Sequence, residues 1–190
     1  MNKVELQGKV IRIFEGRRRT IITLFISGYS KNYPQIVFTG ADREQLAGIV
    51  EGDFVLIKGT IKTRTITEND NRYYRQFIKG LEIIPAVSVL EEEFGSDVKG
   101  RHEYRNKVIL SGEVVSTSNI HNVAHLIIRT PDDKFSIWLS DFSIKPEEVE
   151  NEYPKGTKVY INAEVQTVKK VKDDGSAKYY ENLIVNDITK

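Results

Sequence analysis

The side chains best able to bind a metal or move a proton are His102, His121 and His125, and the last two stand four residues apart. On a helix that spacing would put both imidazoles on one face, but the surrounding residues read as a turn and a strand, where it does not. The chain contains no cysteine, which excludes a thiolate cluster, a cysteine nucleophile and a disulfide framework. It has no glycine-rich loop ending in Gly-Lys-Ser/Thr, no G-x-S-x-G elbow and no dinucleotide fingerprint, and its acids lie mostly in turns or in one acidic stretch. The sequence therefore predicts neither an enzyme nor a site for a metal or cofactor. What it offers is a set of cations and aromatic rings at spacings that suit binding.

Lys58, Lys62 and Arg64 occupy alternate positions of one strand whose opposite face carries Val55, Ile57 and Ile61, so they form an outward basic stripe, with Leu56 and Thr60 on the same open face. Arg17, Arg18 and Arg19 fall in the turn between the first two strands, and Arg72 and Arg75 border the last hairpin of the first half. Cations that track phosphates, together with aromatic faces that stack bases at roughly 1–3 kcal/mol each, are the requirements for holding a single nucleic-acid strand without reading its sequence. The stacking candidates are Phe25, which shares its face with Thr23 and Ser27, then Tyr29 and Tyr33 around the following loop, and Trp138. Alternation over 135–140 puts Phe135, Ile137 and Leu139 on one face and Trp138 between Ser136 and Ser140 on the other, so the indole projects from the polar face. Tyr73 and Tyr179 are expected to help close a core, with Tyr74 and Tyr180 on either face. The alternative use of the cations is as solubilising charge on an edge strand, and of Trp138 as a packing residue.

The elements that must carry these residues come in two copies. Asn2–Val10 reads NKVELQGKV and Asn106–Val114 reads NKVILSGEV, an offset of 104 that also carries Gly52-Asp53-Phe54-Val55 onto Gly156-Thr157-Lys158-Val159. An offset of 106 carries Tyr73-Tyr74 onto Tyr179-Tyr180. We read two copies of one domain, 1–86 and 105–190, joined by an acidic linker over 87–104. In each copy Val4, Leu6 and Val10 and their equivalents alternate with polar residues such as Glu5, Gln7 and Lys9, the period of a strand buried on one side. Gly8 and Gly59 fall on the core side, where a small barrel turns its corner. A helix is expected over 41–49, and another over 144–153 with Pro146 in its first turn. Asn69-Asp70-Asn71 and Asp173-Asp174-Gly175 mark hairpin turns. Three strands, a short helix and two strands make the plan of a five-stranded OB barrel, so the fold class predicted is all-β, two tandem OB domains.

Charge sharpens the contrast between the copies. The whole chain of 190 residues carries a formal net charge of +1, but residues 1–86 hold 14 bases against 9 acids, the linker 2 against 5, and residues 105–190 hold 12 against 13. The first copy is thus the expected electrostatic site for a polyanion. No apolar run approaches the roughly 20 residues of a spanning helix, and the N-terminus lacks the pattern of a signal peptide, so a reducing cytoplasm is the expected compartment.

With that element order in place, the chain resembles the bacterial single-stranded DNA-binding protein family, whose OB domain opens with an NKV-x-L-x-G-x-V strand like Met1–Val10. Glu51–Ile78 (EGDFVLIKGTIKTRTITENDNRYYRQFI) is similar to that family's Gly-Asp, Val-x-x-x-Gly, Lys/Arg-Thr-Arg and Arg-Tyr segment. The second copy keeps the opening strand and the Tyr-Tyr pair but has Gln166-Thr167-Val168 where the first has Lys62-Thr63-Arg64. The family stacks bases on several tryptophans, whereas Trp138 is the single one here, and the chain ends at Lys190 without the family's acidic tail. The resemblance implies non-specific binding of single-stranded DNA during replication, recombination or mobile-element transfer. It also implies a homodimer, because two chains would supply the four OB domains that family members assemble. RNA is the alternative strand, and a protein-interaction module of a replication or conjugation complex is the alternative function. No membrane partner is expected.

Overall fold

The computed structural model describes residues 1–27, 31–68, 71–86, 103–131, 133, 136–171, 175 and 177–190. The tips of the two expected hairpin turns, Tyr29, Phe135 and nearly all of the acidic linker lie outside the described residues. The fold is all-β. Strands β1 (Asn2–Glu15), β2 (Arg19–Phe25), β3 (Gln35–Thr39), β4 (Phe54–Glu68) and β5 (Asn71–Pro85) are followed by β6 (Arg105–Ile120), β7 (Val123–Arg129), β8 (Ile137–Asp141), β9 (Lys158–Val171) and β10 (Ala177–Thr189). Within the first five, β1 pairs with both β2 and β4, β3 lies between β2 and β5, and β5 neighbours β4, which closes a ring. The second five repeat that order, with β6 pairing with both β7 and β9 and β8 lying between β7 and β10. In each ring one pairing is parallel, Ile36 with Ile78 and Ser140 with Ile184. This is the OB barrel connectivity that the sequence predicts.

The compact units do not end where β4 and β5 end. One unit comprises Val4–Thr60 and Ile78–Asn106; the other comprises Met1–Lys3, Ile61–Phe77 and Lys107–Lys190. The distal halves of β4 and β5 therefore pack with the second set of strands.

The repeat is written into the cores. Val4, Leu6, Val10, Ile22, Leu24, Val55 and Ile57 are buried in the first unit, and the residues 104 positions on, Val108, Leu110, Val114, Leu126, Ile128, Val159 and Ile161, are buried in the second. The strand that opens each barrel changes partner midway. β1 pairs with β4 over 4–9 and with β2 from Lys9 onward, and a bulge follows between Val10 and Arg12. β6 does the same at Glu113, with its bulge between Val114 and Ser116. Just before each change stands a glycine: a Cβ at Gly8 would run into the Phe25 carbonyl, and one at Gly112 into the Arg129 carbonyl. Two strands can approach the bending backbone that closely only where no side chain intervenes.

Several expectations need correction. The helix expected over 41–49 is a 3-10 helix, Gly40–Leu46, with no buried residue, so it has no apolar face to anchor a longer α-helix. The one expected over 144–153 shrinks to Val149–Glu152, with Pro146 and Glu147 in the preceding turn, because Val149 is its only buried side chain. Gln7 and Leu56, both read as facing outward, are 1% and 3% exposed. They are cross-strand partners, and each shields the other. Tyr73 and Tyr179 close no core: they are 38% and 36% exposed. His121 and Asn122, at φ 52° and 60°, form a two-residue hairpin turn between β6 and β7, which is why the four-residue histidine spacing yields no shared face. Among the described residues, no helix is long and apolar enough to cross a membrane.

The partner switch generates a prediction. Gly8→Ala and Gly112→Ala should each destabilise the protein by about 1–3 kcal/mol, because the clash is with backbone that cannot rotate away. Urea unfolding of the two variants measures this, and similar losses in both would show that the two barrels share the constraint.

Candidate functional site

Within the second unit, the distal part of β5 and strands β7, β8 and β10 enclose a cleft of about 560 Å³. Its lining includes Tyr73, Tyr74 and Arg75 of β5, Arg129 at the end of β7, Trp138 of β8 and Tyr180 of β10. Each reaches it for a local reason. Ile137 and Leu139 are buried at 1% and 0%, so the pleat turns Trp138 outward, 39% exposed. Tyr74 is 64% exposed. An aromatic ring held in the open on a strand is a surface on which another flat ring can stack.

Hydrogen bonds fix this arrangement. The Gln76 side chain accepts from the Trp138 backbone N–H at 3.1 Å and donates to the carbonyls of Trp138 at 3.2 Å and Glu181 at 3.3 Å, tying β5 to β8 and β10. Thr63 donates to the Ser136 carbonyl at 3.0 Å, and Lys62 pairs with Asp133 at 3.0 Å. Arg75 donates to the Tyr179 carbonyl at 2.9 Å while its guanidinium lies 5.3 Å from the centre of the Tyr180 ring. Five N–H donors in a planar fork allow those contacts and a phosphate together. The Trp138 indole N–H donates to Nδ1 of His125 at 3.0 Å. Burial lowers the pKa of His125 below the ordinary 6.5, outweighing the carbonyls of Leu139 and Ile120, which act in the opposite direction.

The first unit gathers a different set. Phe25 meets Tyr33 at 5.7 Å between ring centres, and Tyr104 stands edge-on to Phe25 at 5.8 Å and to Phe54 at 5.4 Å. Arg17, Arg18 and Arg19 are exposed in and beside the β1–β2 turn. Arg43 of the 3-10 helix steadies that turn by donating to the Thr20 hydroxyl at 3.1 Å and the Arg17 carbonyl at 3.3 Å.

The basic stripe is divided between the two units. Lys58 belongs to the first and forms an ion pair with Glu82 at 3.1 Å. Lys62, Arg64 and Arg72 belong to the second, where Lys62 pairs with Asp133, Arg64 lies 5.6 Å from the centre of the Phe77 ring and Arg72 is exposed. Of the residues singled out from sequence, the structure thus brings Phe25 to Tyr33 and places Trp138 in the cleft. Sequence reasoning did not gather Tyr74, Arg75, Arg129 and Tyr180 around Trp138. The doubled Tyr-Tyr pair was the available signal for two of them. Arg129 gave none, since the equivalent position 104 residues earlier is Phe25. Among the described residues, no group of three or more His, Asp or Glu is placed to hold a metal.

No protein-family model and no curated protein matches this chain. Among solved structures, the wild-type single-stranded DNA binding protein from Thermus aquaticus superposes on 100% of this chain and 92% of its own, with a TM-score of 0.65 and 13% identity. A deletion variant of the same protein covers 100% of this chain and 94% of its own at the same TM-score and identity. At that identity the likeness establishes the fold, over the full length of the chain.

Gln76→Ala should lower stability by about 1–3 kcal/mol, since one side chain serves three backbone groups. Denaturant unfolding would measure the loss, and a red shift of Trp138 emission in the folded variant would show that the cleft loosens with it.

Proposed function

We propose that this chain binds single-stranded DNA without sequence preference, and that the cleft around Trp138 is its principal contact surface. The observation that carries this reading is the presence, lining one open cleft, of four aromatic residues, Tyr73, Tyr74, Trp138 and Tyr180, beside two arginines, Arg75 and Arg129. Bases stack on the exposed rings, and the guanidinium groups neutralise phosphates as the backbone passes. The cleft is open rather than a closed pocket, which suits a strand whose next nucleotide must continue in both directions. The first unit contributes a second surface of Phe25, Tyr33, Arg17, Arg18 and Arg19, with Lys58 adding positive field there and Lys62, Arg64 and Arg72 adding it to the second unit. The full-length likeness to a bacterial single-stranded DNA binding protein supports the reading at the level of the scaffold.

In this proposal residues 1–86 and 105–190 act as two OB domains joined by 87–104, the protein protects or presents single strands in replication, recombination or mobile-element transfer, and two chains assemble as a homodimer. Replication or recombination proteins are its proposed partners.

Titration with a long oligo-dT should quench the fluorescence of Trp138, with little change on adding duplex DNA. Trp138→Ala should weaken binding by about 1–3 kcal/mol, the contribution of one base stack. Arg75→Ala should make the slope of log affinity against log salt shallower by about 0.7, the value for one phosphate contact to a single strand. Preference for a matched RNA would reassign the ligand, and no binding to either strand at low salt would leave protein interaction as the function.

A further inference from the structure

We propose that His125 is a positioning residue that holds the Trp138 indole in the orientation that receives a base, an inference that rests on the single-strand reading above. The indole N–H can only donate, so the 3.0 Å contact requires Nδ1 of His125 to be the acceptor. The imidazole is therefore neutral, with its proton on Nε2. The Ser140 hydroxyl stands 3.1 Å from the same Nδ1, and the two ring centres lie 5.2 Å apart, tilted by 52°, the spacing that the hydrogen bond itself sets. That bond ties the rim of the indole to β7 and opposes rotation of the side chain, while 39% of the residue stays exposed. Without that anchor a tryptophan on the outer face of a strand samples several rotamers, and a base that stacks on it must first order it.

The anchor fails on protonation, because an imidazolium has no lone pair to offer. The strand neighbours of His125 are uncharged, Ser118 on β6 and Ser140 on β8, and His121 in the adjoining turn is the titratable group acting on it, lowering its pKa further. A histidine whose folded pKa lies below its unfolded value binds protons more readily in the unfolded chain. Its contribution to stability is therefore complete above the ordinary 6.5 and is lost as pH falls below it. The effect on DNA has a diagnostic sign. A positive charge added near the cleft would strengthen binding to a polyanion, whereas release of the indole weakens it.

The experiment compares wild type with His125→Leu, which removes the acceptor, and His125→Asn, whose amide oxygen can replace Nδ1. The single indole N–H resonance of the DNA-free protein should shift and exchange faster in H125L and stay close to wild type in H125N. Affinity for oligo-dT should fall about fivefold in H125L, the equivalent of one hydrogen bond, and recover in H125N. In the wild type, indole resonance and oligo-dT affinity should change together as pH falls, with a midpoint below 6.5 and binding weakening. An unchanged indole resonance in H125L, or tighter binding in acid, would overturn the proposal, and the pH series decides the matter if H125L does not fold. Failure of the wild type to bind oligo-dT would instead overturn the single-strand reading, a result separable from the indole data.

Discussion

Every strand of a closed five-stranded ring has two neighbours, and here one strand meets its two in succession along its length. In this chain that strand is β1 in the first barrel and β6 in the second, and both change partner at a glycine followed by a bulge. The barrel needs the carbonyls of Phe25 and Arg129 to sit where a Cβ would otherwise stand. Everything inside depends on that approach. It sets the register that turns Val4, Leu6 and Val10 inward together with Ile22 and Leu24, and it does the same for the equivalents 104 residues later. A side chain at either glycine would force the sheet to open at its tightest point, and the inward faces would lose their shared interior.

Length is the second constraint. β4 and β5 have 15 residues each, more than their pairings with β1 and β3 use, and the surplus, Ile61–Phe77, packs with the second set of strands. Three of its side chains, Thr63, Arg75 and Gln76, donate to backbone carbonyls there. Hydrogen bonds demand geometry in a way that apolar burial does not. Through Gln76 they tie the strand that carries Tyr73 and Tyr74 to the strand that carries Trp138. A greasy contact would have closed the cleft.

Much of the fold was legible in the sequence because its signals are local and repeated. The offset of 104, the period-two alternation of Val4, Leu6 and Val10, and Gly8 at the corner each depend on residues close in the chain, and the structure reproduces them. The expectations that failed involved burial decided by distant neighbours. Pro146 and two glutamates look like a helix start, yet one buried valine cannot sustain three turns. The stripe of Lys58, Lys62 and Arg64 is read from alternation alone, but Asp133, the partner of Lys62, lies 71 residues away and nothing in either segment announces it. The cleft was hidden for the same reason. Its rings come from β5, β8 and β10, and the rule that assigns faces within a strand is silent about which strands will meet.

That difference changes where positive charge should be sought. Counting formal charges favours residues 1–86, but a cation already paired with a carboxylate has given up much of its attraction for a phosphate, and binding there must displace the acid as well as the counterion. Lys58 with Glu82, Lys62 with Asp133 and Lys79 with Asp42 are all of this kind. Arg75 is engaged differently. A neutral carbonyl and a ring face orient its guanidinium without cancelling its charge, and the fork keeps donors for a further acceptor. An arginine oriented in this way has also lost its rotamer freedom before a ligand arrives, so the ordering cost of binding is small. On the proposed reading, Arg75, which belongs to residues 1–86 by sequence but lines the cleft of the second unit, can therefore contribute more to holding a strand than the ion-paired Lys58 and Lys62 of the basic stripe.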